Sequence, residues 1–198
     1  MTEYDQHDHD LHEHAEHDEY QHDPHDHGDH SGHHHGHEPA GLDAEQHRAQ
    51  AVALFNAVWQ MFDIPDRTPA QDDQMIHAAH ASRWHWSQAG KFGGPEQLAV
   101  GEWQCSRVYS VLGRNEPAMH HARASLALCQ EADLGDWVLA AAYEALARAS
   151  AVGGKSSEAH AWLGRARTAV AVIADPEDRK VIDADLASLA ALPELAES

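Results

Sequence analysis

A chain of 198 residues with a formal net charge of −20 has room for one folded domain plus an appendage. Thirteen Lys/Arg against 33 Asp/Glu, with no basic stripe, argue against nucleic acid and anionic membrane surfaces as partners. No apolar run approaches the roughly eighteen residues of a membrane span. No basic stretch followed by an apolar core opens the chain, so a cytoplasmic location is expected. Two cysteines without a CxxC pair, Cys105 and Cys129, fit reduced, buried thiols.

Residues 1–40 form a His/Asp/Glu-rich tail. Twelve Asp/Glu and no Lys/Arg fall in residues 1–39, with Leu11 the only aliphatic side chain larger than Ala. Such a segment buries too little apolar area to offset its ordering entropy, so it is expected to be disordered without metal. Thirteen of the twenty histidines lie here: His7, His9, His12, His14, His17, His22, His25, His27, His30, His33, His34, His35 and His37. Neutral imidazoles alternating with carboxylates supply nitrogen and oxygen donors, and thiolates are missing. This set favours Ni²⁺ or Zn²⁺, with Cu²⁺ and Co²⁺ behind. Two to four imidazoles per ion give a capacity of roughly three to five ions. The tract is similar in composition to metal-binding segments of nickel- and zinc-handling proteins, and the resemblance covers residues 5–38.

From Asp43 the texture becomes Ala-rich with helical period. Ala51, Leu54, Phe55, Val58, Trp59 and Phe62 share one face of a first helix that ends before Pro65. Thr68-Pro69 caps and opens a second helix, to about Gln88. Pro95 opens a third, ending at Leu112-Gly113, and Pro117 a fourth, to about Glu131. Asp136 is expected to cap a fifth that Gly153-Gly154 closes, and Ser156 or Ser157 a sixth. Asp175-Pro176 begins a seventh, ending before Pro193. No segment alternates with period two, so the expected class is all-α, with no sheet.

Small residues recur where paired helices would cross: Ser106-x2-Tyr109-x3-Gly113-x4-Ala118-x3-Ala122-x2-Ser125, and again Ala147-x6-Gly154-x4-Ala159-x6-Ala166. This frame resembles the tetratricopeptide repeat. The closing glycines Gly113 and Gly154 are 41 positions apart, against about 34 in that repeat. Ala122 and Leu163 stand where the family has an aromatic, and Ser150 stands for Tyr. The resemblance implies antiparallel hairpins at about 44–88, 95–131 and 136–173 and a capping helix at 176–191. Together they would make a right-handed solenoid over residues 43–191, whose concave face takes a protein or peptide partner.

Within the helices, His77, His80 and Trp84 share a face, and Glu102 and Glu144 are acids in otherwise apolar stretches. A groove of His77, His80, Arg83, Glu102, Arg107, Tyr143 and Glu144 is one candidate site. A small-ligand or metal site, or an enzyme, would rest on His80, Glu102 and Glu144. The competing structural reading pairs Glu102 with Arg83 or Arg107 and Glu144 with Arg148, and bonds the histidines to backbone. His120-His121, being adjacent on a helix, make a poor chelate. No phosphate loop, nucleophile elbow, HExxH or Cys-His motif supports catalysis. The leading expectation is a non-enzymatic scaffold with a metal-binding tail. The alternative is a plain adaptor with a solubilising tail.

Overall fold

The structure is a computed structural model and describes residues 41–192 and 195. The tail and its thirteen histidines lie outside the described residues. The described residues from Leu42 onward make one compact unit. Among the described residues it is all-helical: α1 (Ala44–Phe62), α2 (Pro69–Gln88), a short 3-10 turn at Gly90–Phe92, α3 (Pro95–Val111), α4 (Asn115–Glu131), α5 (Asp136–Val152), α6 (Ser156–Val170) and α7 (Pro176–Ala190). No described helix is long and apolar enough to cross a membrane.

Local chemistry sets most boundaries. Asp43 accepts from Gln46 N–H at 2.8 Å, while the Gln46 side chain takes Asp43 N–H at 2.9 Å, a reciprocal cap that starts α1. Thr68 and Gln71 repeat the device at α2, followed by Pro69 in the first helical turn. Asp175 caps α7 by accepting from Glu177 N–H at 2.7 Å.

Three starts differ from expectation. α4 begins at Asn115, before Pro117, and α6 begins at Ser156 with Lys155 as its cap residue. Both follow from how the preceding helix ends. Gly113 and Gly154 adopt φ +69°, and the next N–H groups, Arg114 and Lys155, donate back to Tyr109 and Ser150 carbonyls at 2.8 and 2.9 Å. This left-handed glycine stop turns the chain so sharply that the Arg114 and Lys155 carbonyls already accept the next helix's first bonds. Asp136, expected as a cap, is instead the first residue of α5 with φ +51°, a conformation Asp tolerates better than most residues.

The spacing of 41 extends beyond the glycines. Pro95, Val111 and Asn115 bound α3 and α4 where Asp136, Val152 and Ser156 bound α5 and α6, each 41 positions on. The second and third hairpins are thus copies in register. α5 is the central element, packing on α3, α4, α6 and α7. Its Ala140, Ala141, Ala145, Ala147 and Ala149 are buried, and short side chains allow that many neighbours. Buried polar groups bind the hairpins across their backbones: Ser82 Oγ donates to the Ala51 carbonyl at 2.8 Å, and Ser125 Oγ to Ala99 at 2.9 Å. Cys105 and Cys129 are free and buried, as expected. Burial pushes their thiols up to about 12 and about 11, so both stay protonated and poorly nucleophilic.

Candidate functional site

Two clusters of polar side chains form where helices from different hairpins meet, and the candidate residues divide between them. The first lies among α2, α3 and α4. His80 and Arg83, three apart on α2, face Glu102 and Tyr109, seven apart on α3; both spacings keep a pair on one helical face. Gly101 lets the helices close in: a Cβ there would meet Arg83 Cδ at 2.8 Å. Arg83 therefore lies across Gly101 and donates from Nε to Glu102 Oε1 at 2.9 Å. The other carboxylate oxygen, Oε2, lies 2.7 Å from His121 Nδ1 on α4. Burial raises the Glu102 carboxyl, but the His121 hydrogen bond and the Arg83 charge more than offset it, holding the group below its ordinary 4.5.

His121 stacks on Tyr109 with centroids 5.6 Å apart and planes 7° apart, and His80 meets His121 edge-on at 5.0 Å. His80 Nε2 lies 2.9 Å from the Tyr109 hydroxyl. Burial first, then the neighbouring His121, lowers the His80 pKa, while burial raises that of Tyr109. A neutral His80 and the Tyr109 phenol each carry a donor and an acceptor, so the bond between them forms with either ring tautomer. Because the Glu102 carboxylate can only accept, His121 Nδ1–H is the donor in this bond. The cluster can accept and pass hydrogen bonds along a His80–Tyr109 arm and an Arg83–Glu102–His121 arm.

A pH dependence follows from His80. Its folded-state pKa lies below its unfolded value of 6.5, so its contribution to stability is complete above that pH. That contribution is lost as pH falls through the lowered value. His80→Gln should therefore flatten the decline of the urea midpoint between pH 7.5 and 5. A wild-type slope in the variant would exclude His80 as the group responsible.

The second cluster joins α3, α5 and α7. Glu144, 1% exposed, accepts from Arg107 Nη1 at 2.9 Å, Arg148 Nε at 2.6 Å and Trp103 Nε1 at 3.2 Å. Arg107 Nη2 reaches Asp185 Oδ1 on α7 at 2.9 Å, and Arg148 Nη2 donates to the Asp185 carbonyl and to Ser188 Oγ. Each of these charged side chains reaches another helix of the fold.

The seven groove candidates therefore do not share one point. His80, Arg83 and Glu102 belong to the first cluster, and Arg107 and Glu144 to the second. Tyr143 turns away to stack on Trp162 at 5.9 Å. His77 is exposed, its charge one cause of the lowered His80 pKa. Glu102 takes Arg83 and Glu144 takes Arg148, two of the pairings expected. The expectation that the site histidines bond to backbone fails for His80, which bonds to the Tyr109 hydroxyl, and His121 bonds to the Glu102 carboxylate. Sequence reasoning missed His121, Tyr109 and Asp185 as site residues. The i, i+7 spacing of Glu102 and Tyr109 was a usable signal for Tyr109, but nothing local marks His121. Among the described residues, no group of three or more His, Cys, Asp or Glu side chains could hold a metal ion.

No family model, curated protein or solved structure matches this chain.

Proposed function

We propose that this protein is a non-enzymatic interaction scaffold of tetratricopeptide type whose His-rich tail binds, buffers or delivers Ni²⁺ or Zn²⁺. The observation that carries the reading is the tract His7–His37, thirteen imidazoles interleaved with carboxylates and without a single Lys or Arg. The two in-register hairpins support the repeat half of the reading. So does the second polar cluster, whose charged groups are engaged in holding helices together. The scaffold takes a protein or peptide partner through the concave side of its helical stack, in the cytoplasm. Its acidic surface disfavours nucleic acid and anionic membranes.

Calorimetric titration of Ni²⁺ into the intact chain, and into the full-length variant with all thirteen tail histidines replaced by Asn, tests the metal assignment. The wild type should take up roughly three to five ions more than the variant. Equal uptake by the two would overturn the assignment. Release should follow acidification from pH 7 to 5, because the imidazoles protonate near a pKa of about 6.5 and lose their lone pairs. Pull-down of partners with and without chelator tests the scaffold half.

A further inference from the structure

A second pair of histidines lies outside both clusters. His47, in the first turns of α1, and His85, in the last turn of α2, are 38 positions apart, yet their Nδ1 atoms stand 2.8 Å apart. Hairpin packing sets this distance. One turn deeper, Ser82 Oγ donates to the Ala51 carbonyl at 2.8 Å, with both residues fully buried. Ser82 precedes His85 by three and Ala51 follows His47 by four, so the bond fixes the antiparallel register that brings the rings together. On the flank, Ala44 Cβ lies 3.5 Å from where a Gly90 Cβ would stand, closing the start of α1 against the end of α2. Trp84, 53% exposed, sets its ring edge-on to His47 at 5.4 Å and His85 at 4.9 Å, walling one side of the pair. Both imidazoles are partly exposed, so solvent ions reach them.

We infer that His47 and His85 form a divalent transition-metal site on the folded body, one that prefers Ni²⁺ or Cu²⁺ to Zn²⁺. With metal–nitrogen bonds of about 2.05 Å, cis donors on an octahedral or square-planar ion stand about 2.9 Å apart, and tetrahedral donors about 3.3 Å. The observed 2.8 Å is the length of the hydrogen bond between the rings, and it lies nearer the cis value than the tetrahedral one. In the metal-free pair one Nδ1–H donates to the other Nδ1. Binding moves that hydrogen to Nε2 of the same ring through solvent, leaving two neutral imidazoles with both Nδ1 lone pairs on the ion. Each ring must turn about its terminal side-chain torsion to aim its lone pair, a broad and soft coordinate. The pair supplies two positions, and water or further imidazoles fill the rest.

This site differs physically from metal held by the tail. Ligands clustered in sequence, as in residues 7–37, bind metal whether or not the helices are folded. His47 and His85 meet only in the folded hairpin, so metal on them stabilises the fold by mass action. The test is thermal unfolding of the full-length protein by circular dichroism, apo and with saturating Ni²⁺. Comparison variants are His47→Gln, His85→Gln, a control His160→Gln, and the chain with thirteen tail histidines replaced by Asn. Wild type, the control and the tail variant should each gain about 5 °C in Tm with Ni²⁺, and less with Zn²⁺. His47→Gln and His85→Gln should each lose the gain relative to their own apo midpoint. No gain in the wild type, or a gain retained in either single variant, overturns the site. Because the readout survives in the tail variant, it fails or succeeds independently of the tail assignment.

Discussion

Replacing Glu144 with Ala should destabilise the protein by about 3–5 kcal/mol, the loss expected when one partner leaves a buried charge network. Glu144 accepts from Arg107, Arg148 and Trp103 together. Without it, two guanidinium groups, 13% and 8% exposed, would share the one remaining carboxylate, Asp185. Burying charge without a counter-ion is what makes the change severe. The pairing itself contributes little net energy, because the ions gave up water to enter. A second variant separates these effects: Glu144→Leu combined with Arg107→Met and Arg148→Met removes every charge except Asp185, and Asp185→Asn added to it removes that as well. The fourfold uncharged variant should recover most of the loss. Urea unfolding followed by far-ultraviolet circular dichroism provides the measurement, with the midpoint falling at unchanged slope. A loss below about 1 kcal/mol for Glu144→Ala would show that the network is hydrated in solution.

Gly93→Ala should be the most damaging of the glycine substitutions, at about 3 kcal/mol, the upper part of the overpacking range. A Cβ at Gly93 would stand 1.8 Å from the Trp86 carbonyl oxygen. That atom belongs to the backbone of α2, so relief requires moving the turn at Gly90–Phe92 or unwinding the end of the helix. By contrast, Gly113→Ala and Gly154→Ala meet no atom within 4 Å and lose only the ease of φ +69°, a cost of about 1–2 kcal/mol. Gly94 is the control. Its added Cβ would meet only the Gln97 side-chain oxygen at 3.2 Å, which accepts from Gly94 N–H at 3.0 Å and needs to give by only a few tenths of an ångström. The ranking Gly93 over Gly113 and Gly154, measured by urea midpoint, is the outcome to check. A Gly93→Ala variant as stable as Gly113→Ala would mean that the turn adjusts freely.

Most of the helical framework was legible in the residues. Thr68-Pro69, Pro95 and Asp175-Pro176 open helices where expected because Pro needs no partner for its missing N–H in the first turn. Gly113 and Gly154 close helices because glycine reaches positive φ without a steric cost. The starts at Asn115 and Ser156 were misjudged because a three-residue link lets the preceding helix's stop determine the next helix's start. No scan of cap residues contains that coupling.

The candidate site was legible as a list of residues and illegible as an arrangement. Glu102 and Trp103 are neighbours on α3, yet Glu102 turns to Arg83 and His121 while Trp103 turns to Glu144. Successive side chains on a helix point about 100° apart. Neighbours in sequence therefore serve different helices, while residues far apart meet. The helical class, the 41-residue register and the His- and carboxylate-rich composition of the tail are all readable from the residues alone. Only the tertiary structure decided that Asp185 completes the Glu144 network, that His121 rather than His77 joins His80, and that His47 faces His85. Local propensity acts over one turn of chain, whereas these contacts depend on how whole helices rotate and cross.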